Sequence, residues 1–190
     1  MCIIIITPIA IGPDGNLLAK VAPGVLWIAV ILASLLGLDH LFQLDHDDGT
    51  LDIIIIHEYF LTGFVFLKCS LHWFFNCLPL IIMTPAMGIL LNMDSTSIWG
   101  VMISLIAGSP AIIFIGAVGA SVAISLPRGG LLVAILIIPI AIPSIIFGVL
   151  SASAFTDPLV NVQPLIMISL AITLFFSLVG SVATAYALKY

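Results

Sequence analysis

Charge is what this sequence has least of. Only 7% of its 190 residues are Asp, Glu, Lys or Arg, and just four of those are basic. A soluble domain carries about 25% charged residues. With 63% of the residues hydrophobic, no water-soluble fold has enough polar surface to cover the remainder, so lipid is the solvent for most of the chain. In hydrocarbon every backbone N–H and C=O must be satisfied inside a helix or a closed barrel. Barrel strands alternate polar and apolar residues, whereas these runs are long and apolar all round. The expected fold class is all-α, a polytopic transmembrane helix bundle. The shortage of Lys and Arg leaves no basic patch, which argues against nucleic acid as a partner.

Cysteine is nearly as scarce. Cys69 and Cys77 are eight positions apart, about 12 Å along one helix, too far to bridge. With Cys2 they suggest small apolar packing residues. The sequence also lacks the motifs that carry chemistry. No Gly-rich lead-in precedes Lys20, Lys68 or Lys189, so there is no phosphate-cradling loop of the Walker A kind. There is no HExxH, no calcium-loop pattern, no GxSxG and no CxxCH. The later spans contain no buried ionisable residues, which proton- or ion-coupled carriers generally need. An enzyme is the least favoured class. A partner-driven membrane subunit, a non-transporting scaffold and an ion-coupled secondary transporter stay open at this level.

What polarity exists is concentrated. Asp39 to Glu58 holds six of the nine acidic residues and three of the four histidines. Here His40, Asp45, His46, Asp47, Asp48, His57 and Glu58 are metal ligands by type, but their spacing matches no metal site, and the expectation is no metal. Asp48-Gly49 is a turn signal and Thr50 a good N-cap. Leu51, Ile54, Ile55 and Glu58 then recur at helical spacing, predicting a short amphipathic helix. His72, beside Trp73, is expected to be a hydrogen-bonded interfacial residue.

The spans are expected in this order. Cys2 to Ile11 is half a bilayer long, about 15 Å against about 30 Å, and reads as the outer half of a first span within residues 1–12. Gly12 to Asn16 is a turn. Val21 to Leu38 is the second span, opened by Pro23 in its first turn. Tyr59 to Met93 is too long for one simple crossing, so the part before Lys68 is placed at the interface, with Lys68 snorkelling and a third span at Leu71 to Leu91, bent by Pro79 and Pro85. Ser95 to Pro127, Leu131 to Phe155 and Leu165 to Leu188 complete about six spans in one domain, 1–190. Pro127, Arg128, Gly129 and Gly130 make a tight loop, and Thr156 to Pro164 a polar one. Gly116 and Ala120, and the stripe Ser177, Ser181 and Ala185, are expected to let helices approach closely. Placing the acidic loop in the cytosol puts Lys68, Arg128 and Lys189 inside and only Lys20 outside.

Three stretches then carry a resemblance. VAPGVLWIAVILASLLGLDHLFQLDHDDGTLD (Val21 to Asp52), LHWFFNCLPLIIMTPAMGILLNMD (Leu71 to Asp94) and LPRGGLLVAILIIPIAIPSIIFG (Leu126 to Gly148) resemble the haem exporter protein B (CcmB) family of cytochrome c maturation systems. The phrase D-x-D-D-G-T-L-D and the PRGG loop, in that order, are its most specific parts. The resemblance implies a permease subunit of an ATP-binding-cassette complex in a bacterial inner membrane, or a mitochondrial one. ATP hydrolysis would belong to a separate cytosolic subunit. Its other implied partners are further cytochrome c maturation membrane proteins, the haem chaperone, lipid and a second copy in a homodimer. It implies no bound cofactor, with haem as the transported or handled ligand. Family members begin with a basic helix and a full first span, so about thirty residues are expected to be missing here. The acidic loop would be the coupling element that docks the ATPase. Its partner-binding residues would be Asp45, Asp47, Asp48, Gly49, Thr50, Leu51, Asp52, Ile54 and Ile55, with Leu51, Ile54 and Ile55 as apolar anchors.

Overall fold

A computed structural model describes the backbone of residues 2–12, 14–38, 40–56, 58–124, 129–157 and 159–189; within these, the side chains of 52, 56, 58, 59, 129–134 and 136 are not described. Among the described residues the regular structure is helix alone: α1 (Cys2–Ile11), α2 (Gly15–Leu38), α3 (Gln43–Asp47), α4 (Thr50–Ile56), α5 (Glu58–Leu90), α6 (Ser95–Ala123), α7 (Gly129–Ala154) and α8 (Val162–Lys189). Five of these, α2 and α5 to α8, are long and apolar enough to cross a membrane. The protein is a multi-pass helical membrane protein.

Pairwise contacts fix the direction of each crossing. Trp27 meets Ser104 and Leu38 meets Gly116, so α2 and α6 run parallel. Thr173 reaches Ala107 and Gly180 abuts Phe114, so α8 runs parallel to α6. In contrast, Trp73 meets Ser109 while Gly88 meets Ile98, which makes α5 antiparallel to α6. Ser144 meets Gly108 while Phe155, just past α7, meets Gly100, so α7 is antiparallel too. The crossings alternate. One end of the bundle therefore holds α3, α4 and the ends of α6 and α8; the other holds the starts of α2 and α8 and residues 91–94.

α6 is the axis. In its apolar window 72% is buried, against 22% for α5 and for α8. It packs on α7, α8, α5 and α2. Lipid tails are as apolar as leucine, so helices associate in a bilayer by close packing and hydrogen bonding, which favours small residues. Gly100, Ser104, Gly108, Ser109, Gly116 and Ala120 of α6 are all buried. Gly116 lies against Leu38 of α2, where an added Cβ would sit 2.2 Å from Leu38 Cδ1. Ser177, Ser181 and Ala185 are likewise buried on α8, beside Gly180, whose position approaches the Phe114 carbonyl.

Several boundaries differ from the sequence reading. α2 starts at Gly15 because Asp14 Oδ1 accepts from Asn16 N (3.0 Å) and Leu17 N (3.1 Å), capping it; Pro23 thus lies two turns inside the helix rather than in its first turn. α5 is a single helix of 33 residues, about 50 Å long, with no break at Lys68. It exceeds the hydrocarbon core of about 30 Å, and the stretch before Lys68 is continuous with the rest of the helix. Gly129 and Gly130 open α7 rather than forming a loop, while Pro127 and Arg128 fall outside the described residues. α8 begins at Val162, so Pro164 sits in its first turn, not in the preceding loop. α1 packs on α2 and α5, with Ile4 buried.

Candidate functional site

The polar segment after α2 forms two short helices, not one. Its start is anchored by residues whose importance the sequence hid: Leu41 and Phe42 are 6% and 1% exposed and belong to the core. α3 follows, then a turn at Gly49 with φ +76°, a conformation that glycine adopts at little cost. Asp48, rather than Thr50, supplies the cap of α4: its Oδ1 accepts from Thr50 N at 3.0 Å. That backbone hydrogen bond, with a second from the Thr50 side chain, holds the Asp48 carboxyl below its usual range. Thr50 is itself the first residue of α4.

The apolar residues of this segment divide in two. Leu51 is 3% exposed and is part of the protein's own core, and Ile54 and Ile55 pack against that core. Leu51 is therefore engaged within the chain, whereas Ile54 and Ile55 are half-buried and keep part of their surface open. Among the described residues the exposed apolar side chains are Leu44 on α3 and Ile53 on α4, at 71% and 65%. Asp47 is also exposed, with His46 beside it at 3.6 Å. The outward surface of α3–α4 thus combines an apolar knob with carboxylates. Asp39 and His57 lie outside the described residues, as does the Asp52 side chain.

An ion pair between Lys68 and Asp45 ties this segment to the bundle. Lys68 Nζ of α5 donates to Asp45 Oδ2 of α3, and the ammonium lies 5.6 and 5.4 Å from the ring centroids of Phe42 and Phe64. Lys68 is thus directed to a carboxylate of the loop, where snorkelling to the interface was expected. Its 23-residue separation from Asp45 leaves no local spacing signal for the pair.

Among the described residues, the polar contacts inside the bundle are made chiefly by hydroxyls and indoles, with one thiol and the His72–Asn76 pair. Trp27, 0% exposed, donates from Nε1 to Ser104 Oγ at 3.1 Å, and its ring fills a cradle between Gly108 and Gly148. Trp73 Nε1 donates to Ser109 Oγ at 2.8 Å. Ser144 Oγ donates to the Gly108 carbonyl at 3.1 Å. Ser34 Oγ and the buried Cys77 Sγ lie 3.4 Å apart. His72 accepts from Asn76 Nδ2 at 2.8 Å through Nε2, and both face Gly37 of α2. Among the described residues no three His, Cys, Asp or Glu side chains converge as a metal site would require.

Alternating apolar helices sealed by small and hydroxyl residues, with a clamped polar segment at one end, define a multi-pass membrane protein. The family model described as "CcmB protein" matches residues 1–190. A relative from Bradyrhizobium diazoefficiens, described as "Heme exporter protein B", is 40% identical over 190 residues, covering 100% of this chain and 86% of its own. Relatives with the same description from Paracoccus denitrificans and Escherichia coli K12 are 38% and 37% identical, covering 87% and 81% of this chain and 78% and 70% of their own. The chain belongs to the CcmB family.

Proposed function

We infer that this chain is the membrane permease subunit of a haem exporter complex that serves cytochrome c maturation. The observation that carries this is the family match over the full chain, supported by relatives described as "Heme exporter protein B". Haem is then the cargo or the handled ligand. Among the described residues the buried polar positions of the bundle are serines and threonines, which suits a subunit that moves under an external energy source better than an ion-coupled carrier.

That source is a separate cytosolic ATP-binding-cassette subunit. It docks on α3–α4, the polar segment that projects from the bundle, and the membrane is the bacterial inner membrane. The end bearing α3–α4 then faces the cytosol with Lys68 and Lys189, following the bias of basic residues toward that side. Leu44 is the apolar anchor, flanked by the Asp47 and Asp48 carboxylates, which meet basic groups on the partner. Leu44→Asp tests this in the purified complex. The subunit should insert and accumulate normally, yet lose the ATPase, because removing a central anchor costs about 2 kcal/mol, roughly thirtyfold in affinity. Leu51→Asp should instead prevent accumulation, since it places a carboxylate in the core. Retention and stimulation of the ATPase by Leu44→Asp at wild-type levels would refute docking through this surface.

A further inference from the structure

Neighbouring residues on α3 face opposite ways. Leu44 is 71% exposed, while the Asp45 side chain turns back to Lys68 of α5 and keeps only 20% of its exposure, with Lys68 at 23%. Ion pairs on an open surface are weak because water screens them and both side chains are free to move. This pair is partly shielded. Its ammonium has the Phe42 and Phe64 rings nearby, and Phe42 is itself 1% exposed. The pair therefore joins a carboxylate on the projecting segment to a cation held by the bundle. A second ion pair, His46–Asp47, lies within α3.

The consequence lies further along α5. Beyond Lys68, His72 and Asn76 lie against Gly37 of α2, and Trp73 is hydrogen-bonded to Ser109 of α6. α5 beyond Lys68 is thus joined to α6 by a hydrogen bond and packed closely on α2 at Gly37. Asp45 directly follows Leu44 on α3, so the exposed apolar residue is joined in the chain to the carboxylate that holds Lys68.

We propose that Asp45 and Lys68 are positioning residues that transmit movement of the α3–α4 segment into α5 and so couple the ATPase to the membrane helices. This rests on the reading above that the ATPase docks on that segment. The two roles separate cleanly: Leu44 holds the partner, whereas the ion pair conveys what the partner does.

The test uses the full complex in its membrane, with three readouts: accumulation of this subunit, retention of the ATPase on purification, and yield of mature c-type cytochrome. Asp45→Asn and Lys68→Met should both accumulate and retain the ATPase, while cytochrome yield falls about tenfold, within the usual range of coupling between sites. Lys68→Arg should restore the yield. The double variant should be no worse than either single one, because both act through one contact. Wild-type yield from the single variants, additive losses in the double, or loss of ATPase retention in parallel with yield would each overturn the proposal. Should Lys68→Met fail to accumulate, the isosteric Asp45→Asn decides alone. If the wild-type subunit itself does not retain an ATPase, the docking reading fails; if it does and the single variants keep full yield, only the link fails.

Discussion

Gly148→Ala should be a damaging change although it adds a single methyl group. A Cβ there would lie 2.1 Å from Trp27 Cζ2 and 2.5 Å from both Cε2 and Cη2. The indole cannot retreat: a Cβ placed at Gly108 would already be 2.7 Å from Cη2, and Nε1 is tied to Ser104 Oγ. Overpacking of this kind costs about 1–3 kcal/mol. A ring shift that breaks the Ser104 hydrogen bond adds about 1 kcal/mol. Better helix propensity returns about 1 kcal/mol, leaving a net loss of about 2 kcal/mol, roughly thirtyfold in the folded-to-unfolded ratio. Equilibrium unfolding in mixed micelles of mild detergent and dodecyl sulfate, followed by tryptophan fluorescence, measures it. Gly24→Ala is the control, because a Cβ there meets nothing within 4 Å, and it should be neutral or slightly stabilising. Combining Gly148→Ala with Trp27→Phe should cost less than the sum of the two, since the smaller ring leaves room for the methyl. If Gly148→Ala and Gly24→Ala unfold at the same dodecyl sulfate fraction, the Trp27 cradle is not a tight contact and the packing argument fails.

Three further outcomes follow from single contacts. Asp14→Ala removes the cap of α2 and should lower stability by about 1 kcal/mol in the same unfolding assay, with Asp14→Asn largely neutral. A maleimide should modify only Cys2 of the folded protein, because Cys69 and Cys77 are buried, and all three thiols after denaturation; mass spectrometry counts them. The Asp94 carboxyl accepts from Ser97 Oγ at 2.6 Å, which holds its pKa below the ordinary value of about 3.9. Its contribution is therefore complete above that ordinary value and is lost as pH falls through the lowered one. Hydrogen exchange in the first turn of α6 should rise only in that acid window, and the rise should vanish in Asp94→Asn.

The bilayer made much of the fold legible. Hydrocarbon admits few backbone solutions, so long runs without charge read directly as helices, and the small residues Gly116, Ala120, Ser177, Ser181 and Ala185 could be singled out before any contact was known. The candidate site was harder to read. Ile54 and Ile55 have the spacing of an exposed amphipathic anchor, yet that spacing is the same whether the apolar face meets a partner or the chain's own core. Asp14 between Pro13 and Gly15 has the composition of a turn, although an Asp before a helix is equally a cap. Lys68 suggested an interfacial break because lysine in an apolar run normally seeks headgroups, and no local pattern revealed Asp45 as its alternative.

The sequence by itself determined the solvent, the helical class and the family, because composition, charge-free run lengths and phrases such as Asp45 to Asp52 do not depend on how the helices meet. Tertiary structure alone decided that α6 is the axis, that Trp27 is cradled by glycines from two helices, that Leu51 faces inward while Leu44 faces outward, and that Asp45 reaches Lys68. Each of these depends on contacts between residues distant in the chain. In an apolar sequence many pairings are equally compatible with the pattern, and only close packing and the few available hydrogen-bond partners select among them.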